Sequence, residues 1–521
     1  MGIPSYYKKL VSCVKGLVHT SRPGPINWLW IDFNCMIYHC LRRPDMVPYT
    51  GHEMKEEWEK EFLEHIVKYC TNVVSKVAPS NGVYICVDGI VPMAKMRQQR
   101  MRRFKTVWLR EHLLDESSDS GRGPAWDTNA ITPGTVFMEK LHRRLSALVH
   151  SNNSTLCNWA VSSSFEPGEG EHKIMDKWRS GQYDGSFAVY GLDADLIVLS
   201  LLNHKQNPTW LFREVIEEGS IQRYEDGEEK FNWFGIDRLQ ECLFEDIPVV
   251  NKDQCLQEYC FAMSLLGNDF LPSSIGLKLR ENGHNILMNI LKKMWCSDHH
   301  LLTQDSKTVS AAGISYLLQQ LAESEEQLTH KFISRKIDQA VPELPIGSPD
   351  WPLYCQEESV LMKKRSIKPA IDGNWQTIYL NTWFNGGDIA TICNTYLYGL
   401  QWIWAYYIGN TQSVCYNWYY PWNLPPLWAW LSIHMKRSGN ALPIFPGKVD
   451  IRREDICPDE HLPLVLPLES WDLVVGRHKQ FFNIAPWMFP LKYKFFTVGK
   501  RWFWETETEI PIMSIAELKR L

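Results

Sequence analysis

Short apolar runs that each lead into an acidic residue recur in the first 200 residues of the chain. Residues 26–33, 83–87 and 187–190 have the composition of buried strands. Residues 53–77 show the apolar spacing of a helix and lie between the first two runs. A strand, a long helix and a second strand in this order predict a βαβ unit, and therefore a parallel sheet.

Acidic residues stand at the predicted ends of these strands. Asp32 closes the first run, Asp88 follows the second, and Asp193 and Asp195 follow the third. In parallel sheets, ligands bind at the carboxyl ends of the strands. One aspartate in such a place is ordinary turn chemistry, whereas three strands that end in this way indicate a shared site.

More carboxylates occur where the pattern predicts turns. Glu169 and Glu171 lie in a Gly/Pro loop before a helix-like run at residues 172–179, and Asp269 follows an apolar helix at residues 257–266. Each of them alone could be a solvated turn residue. Carboxylates are costly to bring together unless cations neutralise them. Hard divalent ions accept oxygen ligands, and a pair about 4 Å apart can clamp a phosphoryl group.

A basic segment follows the second predicted strand. Residues 95–105 carry six positive charges and no acid. Helical spacing places Lys95, Gln99 and Arg102 on one face, with Arg103 beside them. Arginine pairs bidentately with phosphate oxygens and lysine adds a point charge, so we expect an anion pocket beside the acids. A solvated helix surface and a nuclear-localisation signal are the alternatives.

Composition argues against a disulfide-bonded protein and against a membrane-spanning one. The 521 residues are 45% hydrophobic and carry a net charge of −5, so positive charge for binding nucleic acid must be concentrated in one place. The 14 cysteines form no CxxC pair and indicate reduced thiols, in the cytoplasm or alternatively the nucleus. Residues 389–435 lack charge, but their apolar core is too short for a bilayer. We expect a buried aromatic layer there and no membrane partner.

The pattern divides the chain into three parts. Residues 1–300 contain the predicted sheet, and residues 366–521 are aromatic-rich. Residues 301–365 between them are more polar, with a predicted helix at residues 314–328 and a Pro-rich connector at residues 342–352. Of the 23 tryptophans, 13 lie from Trp351 onward. Some of these rings could stack on bases, although core packing explains most of them.

Several of these segments together resemble the Xrn-type 5′→3′ exoribonucleases. They occur in the family's order and with similar spacing, and the combination is specific although each motif alone is not. The matching segments are Met-Gly-Ile-Pro at 1–4, Asp-Phe-Asn at 32–34, Val-Asp-Gly at 87–89 through Arg-Phe at 103–104, Ile-Thr-Pro-Gly-Thr at 131–135, Pro-Gly-Glu-Gly-Glu-His-Lys-Ile-Met at 167–175, Tyr-Gly-Leu-Asp-Ala-Asp at 190–195, Arg-Glu at 213–214 and Gly-Asn-Asp-Phe-Leu-Pro at 267–272. The chain is similar to a compact member that consists of the catalytic core.

The resemblance implies an α/β fold with a PIN-like, parallel-sheet core of the flap-nuclease superfamily, flanked by helices. A C-terminal, mostly helical, aromatic-rich region would pack on this core and complete the wall of the active site. The implied reaction is processive hydrolysis of single-stranded RNA with a 5′-monophosphate to 5′-mononucleotides. It would use two Mg²⁺ ions, or alternatively Mn²⁺, in RNA decay after decapping. A monomer and a decapping enzyme as partner are expected.

The resemblance also assigns roles to individual residues. The implied catalytic and metal-binding acids are Asp32, Asp88, Glu169, Glu171, Asp193, Asp195 and Asp269. Lys95 is both catalytic and part of the 5′-phosphate pocket, which Gln99, Arg102 and Arg103 complete. Tyr38 replaces the family's base-stacking histidine, His39 lies next to it, and Trp402 is the expected opposing ring.

Two other functions share parts of this pattern. A flap-type, structure-specific DNA nuclease would have the same acids without needing the aromatic C-terminal region. A non-catalytic RNA-binding scaffold could use the same fold, but it would gain nothing from retaining seven mutually repelling acids. Competition between RNA and flapped DNA substrates separates the first alternative from an exoribonuclease.

Overall fold

The computed structural model of this chain describes residues 5–116, 125–153, 157–217, 220–245, 247, 251–339, 356–363, 369–444 and 451–521. The strands are β1 (Val18–His19), β2 (Trp28–Asp32), β3 (Gly82–Cys86), β4 (Asn158–Ser162), β5 (Phe187–Tyr190), β6 (Thr209–Glu214), β7 (Ile216–Glu217), β8 (Ser220–Ile221), β9 (Phe231–Gly235), β10 (Lys494–Phe496) and β11 (Glu507–Glu509). The helices are α1 (Tyr6–Cys13), α2 (Asn34–Leu41), α3 (Lys55–Val77), α4 (Met93–Glu116), α5 (Val136–Asn152), α6 (Gly170–Arg179), α7 (Asp195–Asn203), α8 (Ile236–Leu243), α9 (Lys252–Met263), α10 (Gly283–Cys296), α11 (Ala311–Ile337), α12 (Trp375–Trp383), α13 (Ile389–Tyr407), α14 (Trp428–Arg437), α15 (Pro458–Val465), α16 (Phe481–Ile484) and α17 (Ile515–Leu518).

Seven strands form one sheet in the order β1-β9-β6-β5-β2-β3-β4. The five strands from β6 to β4 are parallel to one another, and β9 and β1 pair antiparallel at the other edge. The registers place Asp32 opposite Cys86, and Ile31 opposite Tyr190. The carboxyl ends of β2, β3 and β5 therefore lie side by side. The parallel sheet that the apolar runs predict is confirmed.

Both faces of the sheet are covered, which explains why its central strands are apolar throughout. Side chains alternate along β2: Leu29 and Ile31 join a core with α2, α3 and α5, whereas Trp30 joins a second core that includes α6 and α7. Helix α3 follows its apolar spacing and ends at Val77, after which Ala78 adopts a left-handed conformation. Strand β3 follows α3 and pairs parallel to β2.

Helix α4 connects the sheet to the C-terminal region. Arg100, fully buried, donates hydrogen bonds to the carbonyl oxygens of Leu464 at 3.2 Å and Pro511 at 3.0 Å, and to that of Met488. These bonds satisfy a cation that would otherwise be costly to bury. They fix one side of α4, so that the basic residues on its other sides are presented in a defined orientation.

The C-terminal region is mostly helical and packs on the same core as α6 and α7. Helix α13 is buried along most of its length, and Asp388 caps its start by accepting from the N–H groups of Ala390 and Thr391. Within the described residues, no helix has both the length and the apolar character needed to cross a membrane. The predicted α/β class, with a helical aromatic-rich region packed on a parallel-sheet core, is confirmed.

The region between these parts contains one long helix, α11, which extends beyond the helical spacing at residues 314–328. The Pro-rich connector expected at residues 342–352 lies outside the described residues. The division of the chain at residues 300 and 365 stays a prediction.

Candidate active site

The topology brings the strand-end acids to one edge of the sheet. Asp32 is the last residue of β2, Asp88 lies two residues beyond β3, and Asp195 begins α7 directly after the loop that follows β5. Asp193 lies in that loop. Because β2 pairs with both β3 and β5, these acids converge although they are distant in sequence.

The loop before α6 delivers the second acidic pair. Glu169 is the N-cap of α6 and Glu171 lies in its first turn. The N–H of Gly170 donates to Asp88 Oδ1 at 2.7 Å. A Cβ at Gly170 would lie 2.6 Å from Asp32 Oδ1 and 2.8 Å from the carbonyl oxygen of Cys86. Glycine therefore allows this backbone to approach the strand ends closely.

Two groups of ligand atoms are close enough to share a cation. Carboxylate oxygens of Asp32, Glu171 and Asp193 lie within 4.8 Å of one another. A second group within the same distance consists of Glu169, Glu171 and His172. Glu171 belongs to both groups, so the two positions are adjacent.

Lys95 bridges the acids from the side of α4. Its Nζ lies 2.5 Å from Glu169 Oε2 and 2.6 Å from Asp269 Oδ2. The two carboxylates overcome the burial of Lys95 and raise its pKa well above the usual range, so the ammonium stays charged. One cation thus holds acids from two loops beside the strand ends.

The remaining carboxylates repel one another. Burial, followed by the charge of Asp88, raises the pKa of Asp32 well above its usual range. Burial and Glu169 do the same to the pKa of Glu171, while burial and Asp269 raise the pKa of Asp195 to about 7. Burial also acts on Asp269, but Lys95 lowers the pKa of that carboxyl. Lys95 therefore compensates part of the cluster, while Asp32, Glu171 and Asp195 are still affected by the charges of neighbouring acids.

The residues fit divalent metal ions. The donor set consists mainly of carboxylate oxygens, the ligands that hard cations such as Mg²⁺ and Mn²⁺ accept, together with a ring nitrogen of His172 in the second group. Asp195 Oδ1 is buried and has no hydrogen-bond partner among the described residues, although such buried atoms are normally satisfied. Cations bound between these acids would remove the repulsion and supply the missing partner.

Two sequence families match this chain. Residues 1–215 match the XRN 5′-3′ exonuclease N-terminus, and residues 249–343 match the Xrn1 helical domain. Together the two matches cover more than half of the chain and include all seven acids and the basic residues of α4. The chain belongs to the XRN 5′→3′ exonuclease family.

Curated members of the XRN family are similar to this chain over more than half of its length. The 5′-3′ exoribonuclease 2 of Kluyveromyces lactis is 30% identical over 358 residues, which are 59% of this chain and 35% of the relative. The corresponding enzyme of Saccharomyces cerevisiae is 29% identical over 411 residues, 65% of this chain and 40% of the relative. The 5′-3′ exoribonuclease 1 of Schizosaccharomyces pombe is 29% identical over 356 residues, 63% of this chain and 26% of the relative. The chain thus spans about a quarter to two fifths of these relatives.

A solved structure also aligns with part of this XRN-family chain. The T5 D15 protein, co-crystallized with metal ions, aligns over 59% of this chain and 88% of its own, with 13% sequence identity and a TM-score of 0.27. A TM-score this low does not show a shared fold.

The four basic-pocket residues of this XRN-family chain follow one another along α4. Lys95 reaches the acids, as described above. Gln99 is buried, and its side-chain oxygen lies 3.1 Å from His461 Nε2. Arg103 is also buried and donates to Thr132 Oγ1 at 2.9 Å, whereas Arg102 is exposed. The basic face therefore begins at the acid cluster and leads away from it.

The predicted stacking residues differ in exposure. Tyr38 is half-buried and close enough to Arg103 to affect its electrostatics. His39 is buried between the ring of Tyr69 and the carboxylate of Glu229. A base could reach Tyr38, but His39 has no open face.

Trp402 is also enclosed, with 1% of its surface exposed. Its Nε1 donates to the carbonyl oxygen of Cys415 at 2.9 Å, and its ring stacks on Tyr406 at 5.1 Å between centroids. This burial does not support Trp402 as a surface for a base. Residues 389–435 contain many aromatic side chains and no Asp, Glu, Lys or Arg, so the sequence pattern does not distinguish a buried ring from an exposed one.

Two side chains that contact the acids were not predicted from the sequence. Tyr406 donates to Glu169 Oε1 at 2.7 Å, and the ring of His172 lies 4.0 Å from that of Tyr406 between centroids. His172 directly follows Glu171 in the sequence, so its position beside the acids could have been predicted. Tyr406 is 237 residues from Glu169, and nothing in its local sequence indicates the contact.

Proposed function

We propose that this chain is a 5′→3′ exoribonuclease that hydrolyses single-stranded RNA bearing a 5′-monophosphate and releases 5′-mononucleotides processively. The single observation that carries the proposal is the position of α4. Its Lys95 bonds to two of the converging acids, while Arg102 and Arg103 lie two turns further along the same helix. A nuclease site and an anion-binding face are thus joined by one rigid element.

The metal ions in this proposal are two Mg²⁺, with Mn²⁺ as the alternative. Asp32, Glu171 and Asp193 would hold one, and Glu169, with Glu171 and His172 beside it, the other. Bound divalent ions supply an activated water and stabilise the charge that develops on the leaving oxygen. The family and the donor set support this assignment.

The chain's own residues perform the remaining tasks. Arg102, Arg103 and Gln99 bind the terminal phosphate, which sets the distance from the 5′ end to the bond that is cut. Lys95 keeps Glu169 and Asp269 in place and adds positive charge beside the phosphodiester. Tyr38 stacks on a base near Arg103. A cap or a triphosphate is larger than the group this face binds, so such ends are poor substrates.

The cellular setting follows from this substrate preference. RNA that carries a 5′-monophosphate arises when a cap is removed, so a decapping enzyme is the proposed partner. We place the reaction in the cytoplasm, with the nucleus as the alternative, and propose that the protein acts as a monomer.

The acid cluster is tested by the double substitution Asp193→Asn/Asp195→Asn. Removing two negative charges weakens metal binding, so we expect turnover of 5′-monophosphorylated RNA to fall by at least ~1,000-fold. Thermal unfolding should show an intact fold, because the substitution also removes repulsion. The matched control is Asp298→Asn, which changes a fully exposed carboxylate and should leave turnover unchanged. Normal turnover in the double variant would exclude the cluster as the active site.

The basic face is tested by comparing RNA with a 5′-monophosphate and RNA with a 5′-hydroxyl. Wild type should degrade the phosphorylated substrate at least tenfold faster, and Arg102→Ala/Arg103→Ala should lose this preference. Arg143→Ala removes an exposed arginine that pairs with Glu139 within α5 and should retain it. If wild type showed no preference between the two ends, the assignment of the phosphate pocket would be wrong.

A further inference from the structure

A cavity of about 360 Å³ lies on the side of α4 next to the acid cluster. Its walls are α4, the segment from residue 266 to residue 280, and the C-terminal segment from residue 499 to residue 507. Asp269, which bonds to Lys95, is part of the wall. Gln99 and Arg103 are not, and Arg102 is the residue that the cavity shares with the basic face proposed to bind the 5′-phosphate. We call it the lysine cavity.

Cationic side chains outnumber acidic ones in the lining. They are Arg97, Arg102, Lys105, Lys278, Arg280 and Lys500. The lining carboxylates are fewer, and most are already engaged. Asp269 is bonded to Lys95, and Glu505 accepts from the backbone N–H of Arg501 at 2.7 Å and lies 3.6 Å from Arg280. The third carboxylate is Glu507.

Most of these cations lack an acidic partner. Within the described ranges, no carboxylate lies within 4.0 Å of the charged groups of Lys105, Lys278 or Lys500. Lys105 donates instead to two backbone carbonyl oxygens, and Lys278 donates to Ser273 Oγ at 2.9 Å. Elsewhere the chain pairs such groups: the buried Lys336 lies 2.7 Å from Glu358.

The charge of Lys500 acts on the other two lysines. Burial, and next the charge of Lys500, lowers the pKa of Lys105 to about 7. Burial and Lys500 likewise lower the pKa of Lys278 to about 7. Desolvated ammonium groups that face each other are unfavourable unless an anion lies between them. The cavity is therefore built for a negatively charged ligand.

The remaining lining indicates a flat, partly apolar group on that ligand. Leu109, Leu271, Phe503 and Trp504 contribute apolar surface. The guanidinium of Arg280 lies 5.0 Å from the centre of the Trp504 ring. Small-molecule sites range from roughly 300 to 1,000 Å³, so this volume suits one nucleotide and not a polynucleotide.

We propose that the lysine cavity binds one nucleoside 5′-monophosphate, the product of the exonuclease reaction. The inference rests on the proposed function for the source of the ligand. Its phosphate contacts Lys278 and Lys500, and its base lies against the apolar wall. Because Asp269 borders both the acid cluster and the cavity, a mononucleotide released at the acids lies next to the cavity.

The test measures equilibrium binding of adenosine 5′-monophosphate by calorimetry, with a chelator present so that no turnover is needed. Lys278→Met/Lys500→Met should weaken binding at least tenfold, and each single variant should weaken it severalfold. The control Lys307→Met changes an exposed lysine beside Asp305 and should bind within twofold of wild type. Since the variants remove like charges, their melting temperatures should not fall below that of wild type.

Other results would overturn the proposal. If wild type failed to bind the mononucleotide, or bound it equally well after Lys278→Met/Lys500→Met, the cavity would not be its site. Loss of binding in Arg103→Gln alone would place the nucleotide in the 5′-phosphate pocket. Inorganic phosphate that bound as tightly, with the same dependence on the lysines, would rule out a nucleotide site. If binding of an uncleavable phosphorothioate RNA depended on the lysines and binding of the mononucleotide did not, the cavity would be part of the RNA path.

The binding measurement is independent of catalysis. Mononucleotide binding at the lysines in a chain without nuclease activity would refute the proposed function and leave the cavity assigned. An active nuclease whose lysine variants bind normally would refute the cavity and leave the proposed function.

Discussion

Tyr406 connects the C-terminal aromatic region to the acids at the level of single side chains. Its hydroxyl donates to Glu169 Oε1, while Lys95 binds the other oxygen, Oε2. Trp402 stacks on the ring of Tyr406, and the ring of His172 lies tilted against it. Both carboxylate oxygens of Glu169 are therefore oriented by side chains that are themselves fixed by packing.

Removing the Tyr406 hydroxyl should loosen Glu169. A hydrogen bond to a charged group contributes about 1.5–3 kcal/mol, so we expect Tyr406→Phe to lower turnover of 5′-monophosphorylated RNA by roughly 10-fold to 100-fold. The metal concentration for half-maximal rate should increase, which a purely structural role would not cause. Steady-state rates over a metal titration provide the measurement.

The matched control is Tyr379→Phe. Tyr379 is buried as well, and its hydroxyl donates to the carbonyl oxygen of Pro425 at 2.9 Å, away from the acids. This variant should lose stability and keep its metal dependence. Equal effects of the two substitutions on the metal titration would contradict a positioning role for Tyr406.

The acids could be predicted from the sequence because they stand at the ends of apolar runs that form strands. Asp32, Asp88 and Asp193 each follow an apolar run, and parallel pairing brings such ends together. The contact of Tyr406 with Glu169 depends instead on how α13 packs on α6, which no local pattern encodes. The same reason explains why the sequence did not show that Trp402, the expected opposing ring, is enclosed.

At the level of elements, helices α11 and α14 are joined through a buried acid. Glu325 on α11 accepts from the backbone N–H groups of Trp428 at 2.8 Å and Ala429 at 3.0 Å, which begin α14. These donors have no partner within their own helix. Burial outweighs the two hydrogen bonds and raises the pKa of Glu325 to about 7.

This shift predicts how stability depends on pH. Between the ordinary glutamate value and about 7, the folded chain keeps a proton on Glu325 that the unfolded chain has lost. The contribution of Glu325 to stability is therefore present at low pH and is lost as the pH rises through this window. At about 1.4 kcal/mol for each pKa unit, the loss is about 3 kcal/mol.

The measurement is chemical unfolding of wild type and Glu325→Gln between pH 4.5 and 7.5. The difference in free energy of unfolding between them should change in favour of the variant by about 3 kcal/mol across the window, and then stay constant. Asp388 caps α13 from an exposed position, where several hydrogen bonds lower its pKa. Asp388→Asn serves as the control and should not reproduce the change. A difference that is independent of pH would show that Glu325 does not titrate there.

Helices and strands were predictable where one periodicity governs a segment. Residues 53–77 became α3 nearly unchanged, and the basic run at 95–105 lies within α4. The sequence did not show that Arg100, in the middle of that run, turns away from the anion face and holds the C-terminal region. Burial of Arg100 among backbone carbonyl oxygens is a tertiary contact, and its charge alone suggested a solvent-facing residue.

On the scale of the whole molecule, metal binding and stability should be coupled. The acids come from separate parts of the chain and repel one another when no cation is bound. Ligands that bind only the folded state stabilise it, by about 2.7 kcal/mol at a concentration of 100 times the dissociation constant. Mg²⁺ should therefore raise the melting temperature relative to a chelator.

The same experiment on Asp193→Asn/Asp195→Asn separates this effect from general salt stabilisation. The double variant should melt higher than wild type in chelator and gain little from Mg²⁺. Sodium chloride at matched ionic strength should not replace Mg²⁺ in wild type. An equal gain from Mg²⁺ in wild type and variant would mean that the ions bind elsewhere.

The architecture of the whole chain was predictable in class because parallel strands with apolar faces require helices on both sides. The contacts that join the C-terminal region to α4 were not, since they link residues hundreds of positions apart. The lysine cavity belongs to this second kind: Lys105, Lys278 and Lys500 come from three distant segments and meet only in the folded chain.

The central claim is that converging acids and the basic face of α4 together release one nucleotide at a time from a phosphorylated 5′ end. Single-turnover digestion in Mg²⁺ of RNA labelled at its 5′ end tests it most directly, using 5′-monophosphate and 5′-hydroxyl ends of the same sequence. We predict that the monophosphorylated RNA gives a labelled 5′-mononucleotide as the first product and that the hydroxylated RNA is degraded at least tenfold more slowly. Internal cleavage, or equal degradation of both ends, would contradict the account.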